Sequence, residues 1–233
     1  MAVTTKNSAF QEGVIAGLPF TVFAIPFATL FGVVATEAGL DLAQTMGFSL
    51  LVIAGASQFT AVQLMTENAP VWIAIAAALA VNLRMAMYSA SLQPHLGSLP
   101  FGKRAVIAYC NIDQSFAVGM AKYEANPSMT VAEKFAFFMG AITPVMPLWV
   151  LFTWIGAVAG TAIPEAWALD FAMPILFLAL VGPMLRTLAH VAAAGTSVVV
   201  ALLCAGLPAG VGVLVAGLVA MAVGAEVERR MGQ

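Results

Sequence analysis

The chain has 233 residues, 62% of them hydrophobic and only 9% charged, with a formal net charge of −2 at pH 7. A soluble domain carries about 25% charged residues, so this composition cannot cover itself with a water-facing surface and most of that surface must meet lipid. The absence of any basic run also argues against nucleic acid as a partner.

The charges divide the chain into spans. No Asp, Glu, Lys or Arg lies between Glu12 and Glu37, Asp41 and Glu67, Lys134 and Glu165, or Arg186 and Glu226, leaving gaps of 24, 25, 30 and 39 residues. A spanning helix needs about 20 residues. The gaps and the apolar runs between them predict helices near 13–35, 42–65, 71–92, 104–121, 132–159, 170–189, 192–206 and 209–226. The expected fold class is an all-α polytopic membrane protein of about 7–8 transmembrane or re-entrant helices, forming a single membrane domain over 1–233. The first apolar run is longer than the roughly 7–15 residues of a signal core and has Lys6 alone before it, so it reads as a retained span. "GLPAG" at 206–210 reads as the turn between the last two helices. Cys110 and Cys204 sit in apolar surroundings without metal-ligand spacing and read as packing residues.

Small-residue pairs Gly13/Gly17, Gly156/Gly160 and Gly206/Gly210 recur at helical spacing and suit close helix–helix approach. Lys6, Lys103–Arg104 and Arg229–Arg230 mark one side of the bilayer, and the acidic loops at 36–41 and 160–170 mark the other. That orientation requires an odd number of crossings between 42 and 92, where there are two apolar runs. One of them must be broken or re-entrant, and the segment Gly55–Gln58 is the expected place, with the backbone leaving helical geometry between Ala54 and Phe59. A faint echo of residues 31–59 in residues 155–185 suggests an internal repeat with halves near 13–121 and 132–226.

Polar side chains at membrane depth carry the functional signal, because a central charge costs roughly 2.5–3.5 kcal/mol on insertion scales. "GASQFTAVQLM" (55–65) contributes Gly55, Ser57 and Gln58, which suit a broken helix lining a cavity. The alternative is hydrogen bonding between helices by Ser57, Gln58 and Gln63. "NLRMAMYSASLQPHL" (82–96) places Arg84, Tyr88 and Ser91 on one helical face and Asn82, Ser89 and Gln93 on the other. "YCNIDQSFAVG" (109–119) puts Asn111, Asp113 and Gln114 within an apolar helix. Arg84 and Asp113 form either a structural ion pair or a binding pair for a substrate carboxylate and ammonium. Arg186 with His190, and His95 beside Pro94, read as interfacial groups. No phosphate-binding glycine loop, paired-histidine metal site or nucleophile–base arrangement is present, so neither an enzyme nor a cofactor is expected.

The three motifs "GASQF", "NLR…YSASL.P.L" and "IDQSFA", in this order, resemble the AzlC family over nearly the whole chain. The resemblance implies the large subunit of a bacterial branched-chain amino-acid exporter in the cytoplasmic (inner) membrane, working beside a small AzlD-like membrane subunit. The polar residues at membrane depth are consistent with that function, with Gly55, Ser57, Gln58, Asn82, Arg84 and Tyr88 as expected substrate-binding residues and Asp113 and Gln114 as expected coupling residues. Two departures concern coupling. Met85 stands where the family usually has His, and Gln114 follows Asp113 where the family often has Glu, so each place has lost a titratable group. A zwitterion with a small apolar side chain fits the polar residues. A transporter or channel for another small solute, or a non-transporting membrane subunit, remains open as an alternative.

Overall fold

The computed structural model describes residues 6–160, 185, 187–207 and 211–231. Among them every regular element is a helix: α1 (Lys6–Gly17), a short 3₁₀ turn (Leu18–Phe20), α2 (Thr21–Glu37), α3 (Leu42–Leu51), α4 (Gly55–Thr66), α5 (Val71–Leu96), α6 (Phe101–Tyr109), α7 (Asp113–Ala125), α8 (Val131–Ile142), α9 (Val145–Gly160), α10 (Leu188–Leu203) and α11 (Val211–Met231). Among the described residues, four stretches are long and apolar enough to cross a bilayer: Asn7–Glu37, Val71–Leu96, Val131–Gly160 and Val211–Met231. The chain is an all-helical, polytopic membrane protein. The expected helix at 170–189, most of the echo at 155–185, Arg186 and Gly210 lie outside the described residues.

Local chemistry explains the boundaries. Pro19 has no amide to donate, so a 3₁₀ turn separates α1 from α2. Thr143 and Pro144 likewise separate α8 from α9. Gly39, at φ +88°, lets the chain turn after α2. Asp41 then caps α3 reciprocally with Gln44, through bonds of 2.8 and 2.9 Å. Thr130 and Glu133 do the same for α8.

The expected helices 13–35 and 132–159 are each interrupted at the proline turns just described, and two others lose helical geometry altogether. The segment 42–65 leaves helical geometry at Val52–Ala54, with Val52 extended at φ −132° and ψ 90°. The break therefore lies just before the expected place, and Gly55, Ser57 and Gln58 form the first turn of α4. The segment 104–121, expected as one helix, breaks at Cys110–Ile112. Asp113 is thus the first residue of α7 and not an interruption within a helix. The breaks meet: the hydroxyl of Tyr109, the last residue of α6, donates to the carbonyl of Leu50 in the last turn of α3. That carbonyl belongs to the set a helix C-terminus leaves without an internal partner.

The described residues group into two units, one of 6–59 and 81–160 and one of 60–80, 185, 187–207 and 211–231. In the first, α1 packs on α8 and α2 on α9, so two kinked helices run side by side in the same direction. Glycine makes this possible. A Cβ on Gly13, Gly17 or Gly32 would strike the carbonyl oxygens of Phe137, Ala141 or Thr153, and one on Gly140 or Gly156 those of Phe10 or Thr29. The pairs Gly13/Gly17 and Gly156/Gly160 are therefore contact surfaces, whereas a Cβ on Gly206 would meet nothing within 4 Å. In the second unit α10 packs on α11, and Leu64, Ile73, Ala74 and Ala77 form a small core.

Gly156→Leu should push α9 off α2 and destabilise the protein by about 1–3 kcal/mol, the usual cost of overpacking. Gly206→Ala should stay within about 0.5 kcal/mol of the parent. Thermal unfolding of both variants in the same detergent measures the difference, and equal midpoints would remove the glycine contact from this account.

Candidate functional site

Arg84 and Tyr88 are one turn apart on α5 and so share a face. The break at Cys110–Ile112 brings Asp113 to that face. Asp113 Oδ2 lies 2.9 Å from Arg84 Nη1, and the Tyr88 hydroxyl donates to Asp113 Oδ1 at 3.0 Å. Both oxygens of the carboxylate are engaged. The Tyr88 ring stacks on Phe116 with centroids 4.1 Å apart and planes 10° from parallel, so α7 holds Tyr88 at two points. The position of Asp113 at the start of α7 also matches a negative charge to the positive end of the helix dipole.

The pair is not sealed. The Arg84 and Asp113 side chains are 24% and 37% exposed. Arg84 Nε, Asn82 Oδ1 and Asn111 Oδ1 are buried atoms with no hydrogen-bond partner. Asn111, within the break, lies with Nδ2 3.5 Å from both the Met85 carbonyl and the Ser89 hydroxyl, at the outer limit of hydrogen bonding. Beside Ser89 opens a cavity of about 240 Å³, lined by Ser89, Gln93 and Arg104 and by apolar Leu92, Leu96 and Ile107. Gln114 makes no side-chain hydrogen bond among the described residues and lies outside this constellation.

Gly55, Ser57 and Gln58 belong to a second group, around the other break. Ser57 donates to the Ala54 carbonyl at 2.9 Å. Gln58 Nε2 donates to Ser49 Oγ at 3.3 Å, and Ser49 Oγ lies 3.0 Å from Thr153 Oγ1 on α9. Aromatic rings close over the turn. Phe59 meets Phe27 and Phe31 edge to face at 5.0 and 5.4 Å. A Cβ on Gly55 would come within 2.6 Å of the Phe27 ring and 2.8 Å of the Trp149 ring, so any side chain there would have to displace both rings. The sequence did not point to Ser49, Thr153, Thr45 or Trp149. The only signal was the spacing of Thr45 and Ser49, one turn apart in an uncharged run.

The family model described as "AzlC protein" matches residues 19–163, a span that contains both groups. An Escherichia coli (strain K12) protein named "Inner membrane protein YgaZ" is 30% identical over 178 residues, covering 74% of this chain and 71% of that protein. An "Uncharacterized membrane protein" of Archaeoglobus fulgidus is 32% identical over 202 residues, 85% of each chain. No solved structure matches the chain.

Tyr88→Phe keeps the ring on Phe116 and removes only the hydroxyl that bonds Asp113. It should lower stability by about 1 kcal/mol, the net worth of one hydrogen bond. Chemical denaturation in detergent checks this, and an unchanged midpoint would mean that Tyr88 does not hold the carboxylate.

Proposed function

This chain belongs to the AzlC family, and from that premise we propose that it is a secondary transporter exporting branched-chain and related hydrophobic amino acids. Its place would be the cytoplasmic (inner) membrane of a bacterium, in line with the name of its Escherichia coli relative. A small AzlD-like membrane subunit would be its partner.

One observation carries the reading. An arginine and an aspartate meet at a helix break inside a membrane protein, beside one unpaired donor, Arg84 Nε, and one unpaired acceptor, Asn111 Oδ1, two residues before Asp113. An amino acid is a zwitterion and complements such a set. Its carboxylate takes the guanidinium, whose planar fork suits a carboxylate. Its ammonium takes Asp113, which the Tyr88 hydroxyl keeps in position as the ion pair opens. The exchange replaces one ion pair by two, so neither protein charge is left alone at depth, the state that costs most.

The cavity of about 240 Å³ that begins at Ser89, further along α5 and on another face than Arg84, has apolar walls and is smaller than the roughly 300–1,000 Å³ of drug-sized sites. One methylene discriminates by only about 1–3 kcal/mol in an apolar pocket. Valine, leucine, isoleucine and methionine should therefore all be accepted.

Two measurements test this reading. Cells loaded with a valine dipeptide should lose valine efflux with Arg84→Met, with Asp113→Asn and with the double replacement, while the double variant accumulates in the membrane at near-parent levels. Efflux restored in the double variant would reduce the pair to a structural bridge. Liposomes holding this chain without its small subunit should transport at well below the rate of the two together. Full activity from the chain alone would remove the partner.

A further inference from the structure

The group around the first break differs in kind from the Arg84–Asp113 constellation. Thr45, Ser49, Ser57, Gln58 and Thr153 are all at most 1% exposed, and none carries a formal charge. Ser57 is satisfied locally by the Ala54 carbonyl. The others are not all satisfied. Gln58 Oε1 and Thr45 Oγ1 are buried oxygens without a hydrogen-bond partner. Ser49 and Thr153 bring their hydroxyl oxygens to 3.0 Å of each other, and the Gln58 amide reaches Ser49 at 3.3 Å. A half-turn of that amide exchanges its donor for its unpaired acceptor. Thr45 stands one turn before Ser49 on α3, and so on the same face.

We infer that Ser49, Thr153, Gln58 and Thr45 form a binding site for a sodium ion. Three features select this ligand. The available atoms are hydroxyl and amide oxygens, the donors of a hard cation. The set lacks the carboxylates on which divalent cations rely, so a monovalent ion suits it. The Ser49 and Thr153 oxygens, already 3.0 Å apart, fit a small ion and not a large one. The position agrees, since broken helices in membrane carriers bind ions where the backbone ladder is interrupted. The aromatic closure over Gly55 agrees as well, because the rings of Phe27 and Trp149 leave no room at that glycine even for a methyl group. On this inference Gln58, expected from the sequence as a substrate contact, meets the ion, and Ser57 ties the backbone beside it.

On the export reading, the sodium ion is the coupling ion, entering down its gradient as an amino acid leaves. The site itself does not depend on that reading, and the test separates the two. The purified full chain in detergent is heated in sodium, potassium or choline chloride at equal ionic strength. Sodium alone should raise the unfolding temperature, saturably in the millimolar range. Thr153→Val and Ser49→Ala should each weaken that response at least tenfold in apparent dissociation constant, and Thr153→Ser, which keeps the hydroxyl, should retain it. Equal response to all three salts would overturn the inference, because buried water would then suffice. So would a sodium response that survives both Thr153→Val and Ser49→Ala. A sodium response lost in these variants, in a protein that exports no amino acid, would uphold the site and defeat the proposed function. Export that ignores a sodium gradient would overturn the coupling role and leave the transport reading standing.

Discussion

Lipid offers no hydrogen bonds, so a spanning segment may leave helical geometry only where its freed backbone groups find partners in the protein. Both breaks meet this condition with the same device. The helix after each break has serine as its third residue, Ser57 in α4 and Ser115 in α7. Each hydroxyl lies at hydrogen-bond distance from the carbonyl three residues back, 2.9 Å to Ala54 and 3.0 Å to Ile112. Ser115 also accepts from the Ile112 amide at 3.0 Å. The bond from Tyr109 to Leu50 then satisfies one carbonyl at the end of α3 from the end of α6. Both polar groups exist because these breaks are sustainable.

The frame beside them is built on the opposite principle. Between helices in lipid there is little hydrophobic driving force, so association depends on close van der Waals contact and weak Cα–H···O bonds. The glycines of α1, α2, α8 and α9 provide that closeness at two places, where α1 meets α8 and where the C-terminal half of α2 meets that of α9. Thr153 takes part in both arrangements: its carbonyl meets Gly32 of α2, and its hydroxyl lies 3.0 Å from that of Ser49 on α3.

Much of this was legible in the sequence, for reasons that differ residue by residue. Arg84 and Asp113 were readable as partners because isolated charges in an apolar chain have few alternatives, and they lie 2.9 Å apart. The first break was readable from Gly55, Ser57 and Gln58 but misplaced. The glycine answers to the rings of Phe27 and Trp149, while the chain departs at Val52–Ala54, three apolar residues with no local mark. The second break went unread because the run 104–121 has the length of a single span. Ser49 and Thr153 were invisible for another reason. A hydroxyl in an apolar helix usually bonds its own backbone, as Thr29 does to the Ile25 carbonyl at 2.9 Å. Only the fold distinguishes the few that do not. Where the echo of residues 31–59 falls on described residues, 31–37 and 155–160, its two copies lie on the paired helices α2 and α9.

The two principles divide the first unit by what can move. Sliding α2 along α9 would drive glycine faces into carbonyl oxygens, so the paired helices form a stiff reference. The breaks carry no such glycine faces: each leaves helical geometry over three residues and is held by side-chain bonds, from Ser57 at the first and from Ser115 at the second. On the proposed export function, a carrier must change the partners of its binding groups without exposing unpaired backbone to lipid. Asp113 and Gln58, the partners of Arg84 and Ser49, stand beside the two breaks. The glycine contacts lie on α1, α2, α8 and α9. Of the polar side chains in both groups, only Thr153 belongs to that frame, and its contact with Ser49 joins the group at the first break to it.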